Sequence, residues 1–143
     1  MGVRISPPVL SQFDNDSICK FENSPFIFSK SIFGQKLGIL FLDKNWQITL
    51  KSEASFFRAG IIDTTDLHFE GEVKDFYLSS KLQMRGRYLN NLKVDTFYYY
   101  YQNGIFESKG NYKNNQREGV WTYYYDNGKL KQIVKFKPND FSV

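Results

Sequence analysis

Side chains able to do covalent or acid–base chemistry are few in this chain, and those able to grip another surface are many. His68 is the only histidine, so neither a histidine pair for a metal nor an imidazole relay can form, and it reads as structural or solvated. Cys19 is the only cysteine, which excludes an internal disulfide and a thiolate cluster, and it has no local histidine or basic helix terminus to activate the thiol. The acidic run Asp63, Asp66, Glu70, Glu72 and Asp75 puts Glu70 and Glu72 on one strand face, where paired carboxylates could hold a cation or exchange a proton. A solvated face, or an electrostatic match for the lysine-rich strands, is the stronger reading. There is no glycine-rich phosphate loop, Walker pattern or nucleophile elbow. The expectation is a non-enzyme without metal or cofactor.

The aromatics are the richer signal. GVWTYYYDNG at 119–128 is a near copy of DTFYYYYQNG at 95–104, and both runs lie among lysines and arginines. Rigid Tyr and Trp beside Arg and Lys dominate protein-binding hot spots. Tyr98, Tyr100 and Tyr124, with Arg117, Lys129, Lys131 and Lys135, are therefore the expected partner contacts. Phe97, Tyr99, Trp121 and Tyr123 are expected to pack instead, and a register slip of one residue would exchange the two sets. The same rings could stack bases between phosphate-binding lysines, a weaker reading than protein binding.

Composition bounds the class. The 143 residues suit one domain, and the 18% aromatic content, rich in Tyr, favours a thin sheet with wet edges. The net charge of +4 is uneven, with 8 Lys/Arg against 10 Asp/Glu in residues 1–80 and 11 against 5 in residues 81–143. A cationic, aromatic half suits an acidic protein, nucleic acid or an anionic membrane, although lysines between strands also guard against edge pairing. No segment has the apolar length of a membrane span, and the first residues lack the apolar core of a signal peptide. A cytoplasmic location is expected as the sequence is written, and a periplasmic or envelope one if a signal was removed.

The elements that must position these residues follow from a repeat. Gly86 and Gly110, Tyr88 and Tyr112, Asn90 and Asn114, Phe97 and Trp121, and Asn103 and Asn127 are all separated by 24 residues. A degenerate copy precedes them, with Gly71, Val73 and Ser79-Ser80 at the places of Gly119, Trp121 and Asn127-Gly128. Each unit reads as a hairpin whose Asn-Gly turn takes positive φ at both positions, Asn103-Gly104 and Asn127-Gly128. Alternation along KLKQIVKF puts Leu130, Gln132, Val134 and Phe136 on one face and Lys129, Lys131, Ile133 and Lys135 on the other. Gly86, Gly110 and Gly119 are expected where rings or backbones approach closely, and NNLK and NNQRE as polar loops.

Upstream, GILFLDKNWQITL suggests a hairpin of strands Gly38–Leu42 and Trp46–Leu50 about an Asp43-Lys44-Asn45 turn, and SEASFFRAGII a strand. The expected architecture is all-β: an elongated single-layer antiparallel meander of stacked hairpins. Its segments are an irregular 1–36 with one strand near Phe26 to Phe28, a hairpin and connection at 37–69, three repeats at 70–137 and a tail at 138–143.

The residues GRYLNNLKVDTFYYYYQNGIFESKG and GNYKNNQREGVWTYYYDNGKLKQIVKF resemble the MORN-repeat variant of bacterial YwqK-type antitoxin components of toxin–antitoxin modules. The resemblance spans about residues 70–137, departing at Asp95, where glycine is usual, and at Ser79-Ser80, where Asn-Gly is usual. It implies a repeat protein that binds another protein and neutralises a toxin. The competing expectation is a structural or envelope-associated scaffold that self-assembles or touches anionic lipid. The open edge of the last strand would also allow a homodimer.

Overall fold

Strand order follows chain order throughout. The computed structural model describes residues 26–28, 36–63, 65–66 and 68–138. They form one open antiparallel sheet: β1 (Phe26–Phe28), β2 (Lys36–Leu42), β3 (Phe56–Asp63), β4 (His68–Tyr77), β5 (Leu82–Leu89), β6 (Leu92–Tyr100), β7 (Phe106–Lys113), β8 (Gln116–Tyr124) and β9 (Leu130–Phe136). The expected all-β meander is thus observed, and the strand foreseen at Phe26 to Phe28 is β1. The remainder of the irregular segment expected at 1–36, Cys19 included, and the tail from 139 on lie outside the described residues.

The hairpin expected at 38–50 forms only near its turn, where Asp43 N–H donates to Gln47 O at 2.9 Å and Thr49 N–H to Phe41 O at 3.0 Å. After β2 the Asp43 carboxylate accepts the N–H groups of Asn45 and Gln47, at 2.8 and 3.0 Å. Trp46, not Asn45, takes the left-handed conformation (φ 62°), and its ring stacks on Phe56 at 4.1 Å. The side-chain bonds brace that turn, the pairing extends to the bridge of Leu42 with Ile48, and a 3₁₀ turn follows at Lys51–Glu53. The partner of β2 is β3, with Leu37 opposite Ile61 and Phe41 opposite Phe57.

The turns are also redistributed. In each repeat the hairpin loop is a hydrogen-bonded turn followed by one left-handed residue: Gly104 N–H to Tyr101 O, Gly128 N–H to Tyr125 O, and Ser80 N–H to Tyr77 O. Positive φ falls on Gly104, Gly128 and Ser80 alone, at 88°, 85° and 70°, and not on Asn103 or Asn127. This is the three-residue loop with a glycine bulge, which Asn-Gly serves as well as it serves a two-residue turn. Asn103 and Asn127 instead accept the N–H of Ile105 and Lys129 through their side chains. The two-residue turns lie in the links expected to be polar loops: Asn90-Asn91 and Asn114-Asn115, each with positive φ at both residues.

Ser80 occupies the glycine position without glycine's freedom. Ser80→Gly should therefore raise unfolding free energy by about 1 kcal/mol, and Gly104→Ser should lower it by a similar amount, both read by urea denaturation.

Bulges recur with the repeat and set the faces. Two residues are inserted opposite a single step of the neighbouring strand at Gly71-Glu72, and the left-handed residue recurs at Asp95 and Gly119 (φ 76°, 62° and 67°). Gly119 was expected at a close approach; a Cβ there would meet nothing within 4 Å, so its glycine serves backbone conformation. Gly86 and Gly110 do lie beneath rings, those of Phe97 and Trp121.

One face, here the inner, holds Leu40, Leu42, Ile62, Phe69, Val73, Met84, Tyr88, Phe97 and Trp121 from β2 through β8. The other, the outer, holds a shorter core of Ile39, Phe41, Ala54, Phe57, Ala59 and Phe76, with Leu82 beside it. The early strands are consequently packed on both faces, while the outer face of β6–β9 has no comparable core among the described residues.

Candidate protein-binding face

The outer face of the C-terminal strands is built from cross-strand neighbours. Register places Lys74 beside Arg85, Arg85 beside Tyr98, Tyr98 beside Lys109, Lys109 beside Thr122, and Thr122 beside Ile133. Arg85 lies 3.8 Å over the Tyr98 ring, and its Nε donates to the Tyr100 hydroxyl at 3.0 Å. The Tyr100 ring stacks on Phe106 at 4.9 Å, and the Lys109 ammonium is 5.5 Å from the Phe106 centroid. These rings are held by cations that leave their outward surfaces half-open.

Toward β9 the face becomes apolar and open. Val120, Leu130 and Ile133 are 56%, 54% and 59% exposed, and Tyr124 is half-buried opposite Leu130. Lys135 stands across from Val120. A contiguous exposed apolar patch with a polar rim is the kind of surface that marks an interaction site.

Of the expected contacts, Tyr98, Tyr100, Tyr124 and Lys135 share this face by alternation and register. Lys131 is displaced into the bulge between the Tyr123–Gln132 and Tyr124–Leu130 pairs, with its ammonium 5.7 Å from the Tyr125 ring. Lys129 sits in the hairpin loop. That bulge also corrects Leu130, expected with Val134 and Phe136, which now shares the side of Tyr124. Arg117 belongs to the inner face, 5.6 Å over Trp121 and 5.5 Å over Phe136, donating to the Tyr123 hydroxyl at 2.9 Å. The packing residues Phe97, Tyr99, Trp121 and Tyr123 are on the inner face, and Gly104 and Gly128 are in the loops. Sequence reasoning passed over Arg85, Phe106, Lys109 and Val120, whose neighbourhood depends on bulge positions.

The inner face carries buried charge. Arg58 makes a bidentate contact with Asp75 at 2.8 and 3.0 Å, and its guanidinium lies 5.4 Å over Tyr88. Burial opposes the charge on Arg58, but the Asp75 carboxylate outweighs it and holds the pKa above its ordinary value. Lys93 rests over the rings of Tyr112 and Phe97, at 5.0 and 5.6 Å, and burial followed by repulsion from Arg58 lowers its pKa. The hydroxyls of Tyr99 and Tyr112 meet at 3.1 Å.

Burial pushes the Tyr88 phenol up to about 12, and burial with the Tyr112 hydrogen bond raises Tyr99 as well. Both phenols bind their protons more tightly folded than unfolded. The Tyr88 contribution to stability is therefore complete below the unfolded value of 10 and is lost as pH rises through about 12. For Tyr88 the loss amounts to about 2 to 3 kcal/mol. Urea titrations from pH 9 to 12 should show this decline, and Tyr88→Phe should reduce its slope.

The acidic run is committed locally. Asp63 accepts the Thr65 N–H and hydroxyl at 2.8 and 2.6 Å, Asp66 contacts His68 Nδ1, and Glu70 lies 3.3 Å from His68 Nε2. Glu72 faces Lys74 at 3.7 Å, and Asp75 belongs to Arg58. The Asp66 contact raises the His68 pKa. Of these carboxylates Glu72 lines a cleft, with Arg85, Arg87, Thr96 and Tyr98.

With this geometry in place, residues 117–137, which span β8, its loop and β9, match the MORN repeat variant. No curated protein matches the chain.

Proposed function

We propose that the chain is a protein-binding repeat module that neutralises its partner, as an antitoxin or immunity protein does. A MORN repeat points to a non-enzymatic module of the kind that binds proteins or membranes. The observation that carries the protein reading is the open apolar surface of Val120, Tyr124, Leu130 and Ile133, continued by the cation-braced rings of Tyr98, Tyr100 and Phe106. Solvent gains little by leaving such a surface bare, and a partner that covers it releases that cost. The antitoxin role comes from the resemblance of the repeats alone.

The test is affinity capture of the tagged chain from its source cells at about 0.15 M salt, where weak surface attraction is screened. One stoichiometric protein is expected, and Val120→Ser with Tyr124→Ser should release it while leaving the fold intact. The second reading, a scaffold lying on anionic lipid, draws on the adjoining Lys74, Arg85 and Lys109 of the same face. An empty column together with salt-sensitive binding to anionic vesicles would put that reading first.

A further inference from the structure

We infer that the outer edge of β9 docks an extended acidic segment of a protein partner, which adds to the sheet as the next strand. The inference rests on the protein-binding reading and names a second contact surface for it.

The repeats are locked to one another by a recurring tyrosine bond. The Tyr77 hydroxyl donates to the Tyr100 carbonyl at 2.6 Å, and one repeat later the Tyr101 hydroxyl donates to the Tyr124 carbonyl at 2.8 Å. In both cases the donor follows or ends one strand and the acceptor ends the strand two places on. Tyr125 is the next member of the series, 24 residues beyond Tyr101. It is 49% exposed, and among the described residues its hydroxyl has no hydrogen-bond partner. The strand that would supply its acceptor is the missing neighbour of β9.

A second recurring bond points to the same place. The Asn103 amide nitrogen donates to the Asp126 carbonyl at 2.7 Å, joining adjacent hairpin loops. Its counterpart Asn127 uses only its side-chain oxygen, toward the Lys129 N–H, among the described residues. Two donors that bind the next strand and loop elsewhere in the sheet are thus unused at this end.

Charge selects the occupant. β9 pairs only with β8 among the described residues, and the edge carries Lys129, Lys131, Lys135 and Lys137 with no acidic residue from 129 to 137. A second copy paired antiparallel about Ile133 would oppose Lys131 to Lys135, and like charges directly opposite are destabilising. Glutamates or aspartates on an added strand would meet those lysines, while its carbonyls would accept from Tyr125 and Asn127. Backbone pairing would provide the attachment and the lysines the selection.

The experiment titrates the full chain with a blocked octapeptide alternating Glu with Val and Thr, with its Lys-for-Glu counterpart, and with the Glu peptide N-methylated at alternate amides. Binding of the Glu peptide alone is expected, with slowed hydrogen exchange at β9 amides. Lys131→Glu should weaken it by about tenfold. Tyr125→Phe with Asn127→Ala should weaken it several-fold, whereas Tyr101→Phe, whose hydroxyl is already used within the sheet, should not. Equal binding of the N-methylated peptide would overturn strand addition, and self-association of the chain abolished by the same edge variants would assign the edge to a second copy. Partner capture that Val120→Ser/Tyr124→Ser abolishes but the edge variants leave intact would refute this inference and spare the protein-binding reading. Absence of any captured protein would refute that reading instead.

Discussion

Gly110→Ala should be among the most damaging single-methyl changes available in this protein, lowering stability by about 3 kcal/mol and the unfolding midpoint by roughly 10 °C. A Cβ at Gly110 would stand 2.3 to 2.5 Å from Trp121 ring atoms, well inside contact distance. The indole has little room to retreat. It is 1% exposed, donates its N–H to the Asn111 carbonyl at 3.0 Å, and meets Tyr112 edge-on at 5.1 Å. Gly86→Ala meets the same obstacle at Phe97, at 2.4 Å. Gly71→Ala differs in kind, because nothing lies within 4 Å and only its φ of 76° resists, so about 1 kcal/mol is expected. Trp121→Val, which reproduces the side chain at the corresponding Val73, should cost about 3 kcal/mol alone through the cavity it leaves. Added to Gly110→Ala it should be far less than additive, since the smaller side chain clears the methyl. A Gly110→Ala protein as stable as the wild type would mean that the ring does not cover this glycine.

The second large effect lies at Arg58 and Asp75, the ion pair of the inner face. Asp75 is 2% exposed and the Arg58 side chain 22%. Removing either partner leaves the other in a region of Tyr88, Met84 and Tyr99 without its counter-charge, at a cost of about 3 to 5 kcal/mol. Replacing both, as Arg58→Met with Asp75→Leu, removes the desolvated charges together. That variant should fall within about 1 kcal/mol of the wild type. Urea unfolding of the two single variants and the double decides the matter: strict additivity would show that the pair is not coupled.

The 24-residue interval made much of this fold legible before any coordinates. It located the hairpins from Gly71 on, and alternation put Phe97, Tyr99, Trp121 and Tyr123 on one face, since each aromatic run enters its loop without interruption. What stayed hidden has specific causes. Asn-Gly is compatible with two kinds of hairpin loop, and only the flanking hydrogen bonds select the one with a bulge. A bulge offsets the alternation on its two sides, so Leu130 changed face while Ile133, Val134, Lys135 and Phe136 kept theirs. Arg117 was placed with the lysines because its charge suggested solvent, yet its guanidinium lies over Trp121 and Phe136. Arg58 and Asp75 are 17 residues apart on neighbouring strands, and no local pattern joins them. At 46–50 the sequence has strand-forming residues, but only Gln47 to Thr49 pair back on Phe41 to Asp43 before the 3₁₀ turn at Lys51–Glu53.

The measurement that tests the central claim most directly is hydroxyl-radical footprinting of the chain, free and in complex with the protein it captures. In the free chain Val120, Tyr124, Leu130 and Ile133 should label quickly, while Phe97, Met84 and Trp121 are protected. Binding should protect that first group together with Tyr98 and Phe106, and leave Arg117 and Phe136 on the opposite face unchanged. Protection confined to the inner face, with the outer residues labelling as before, would contradict the account.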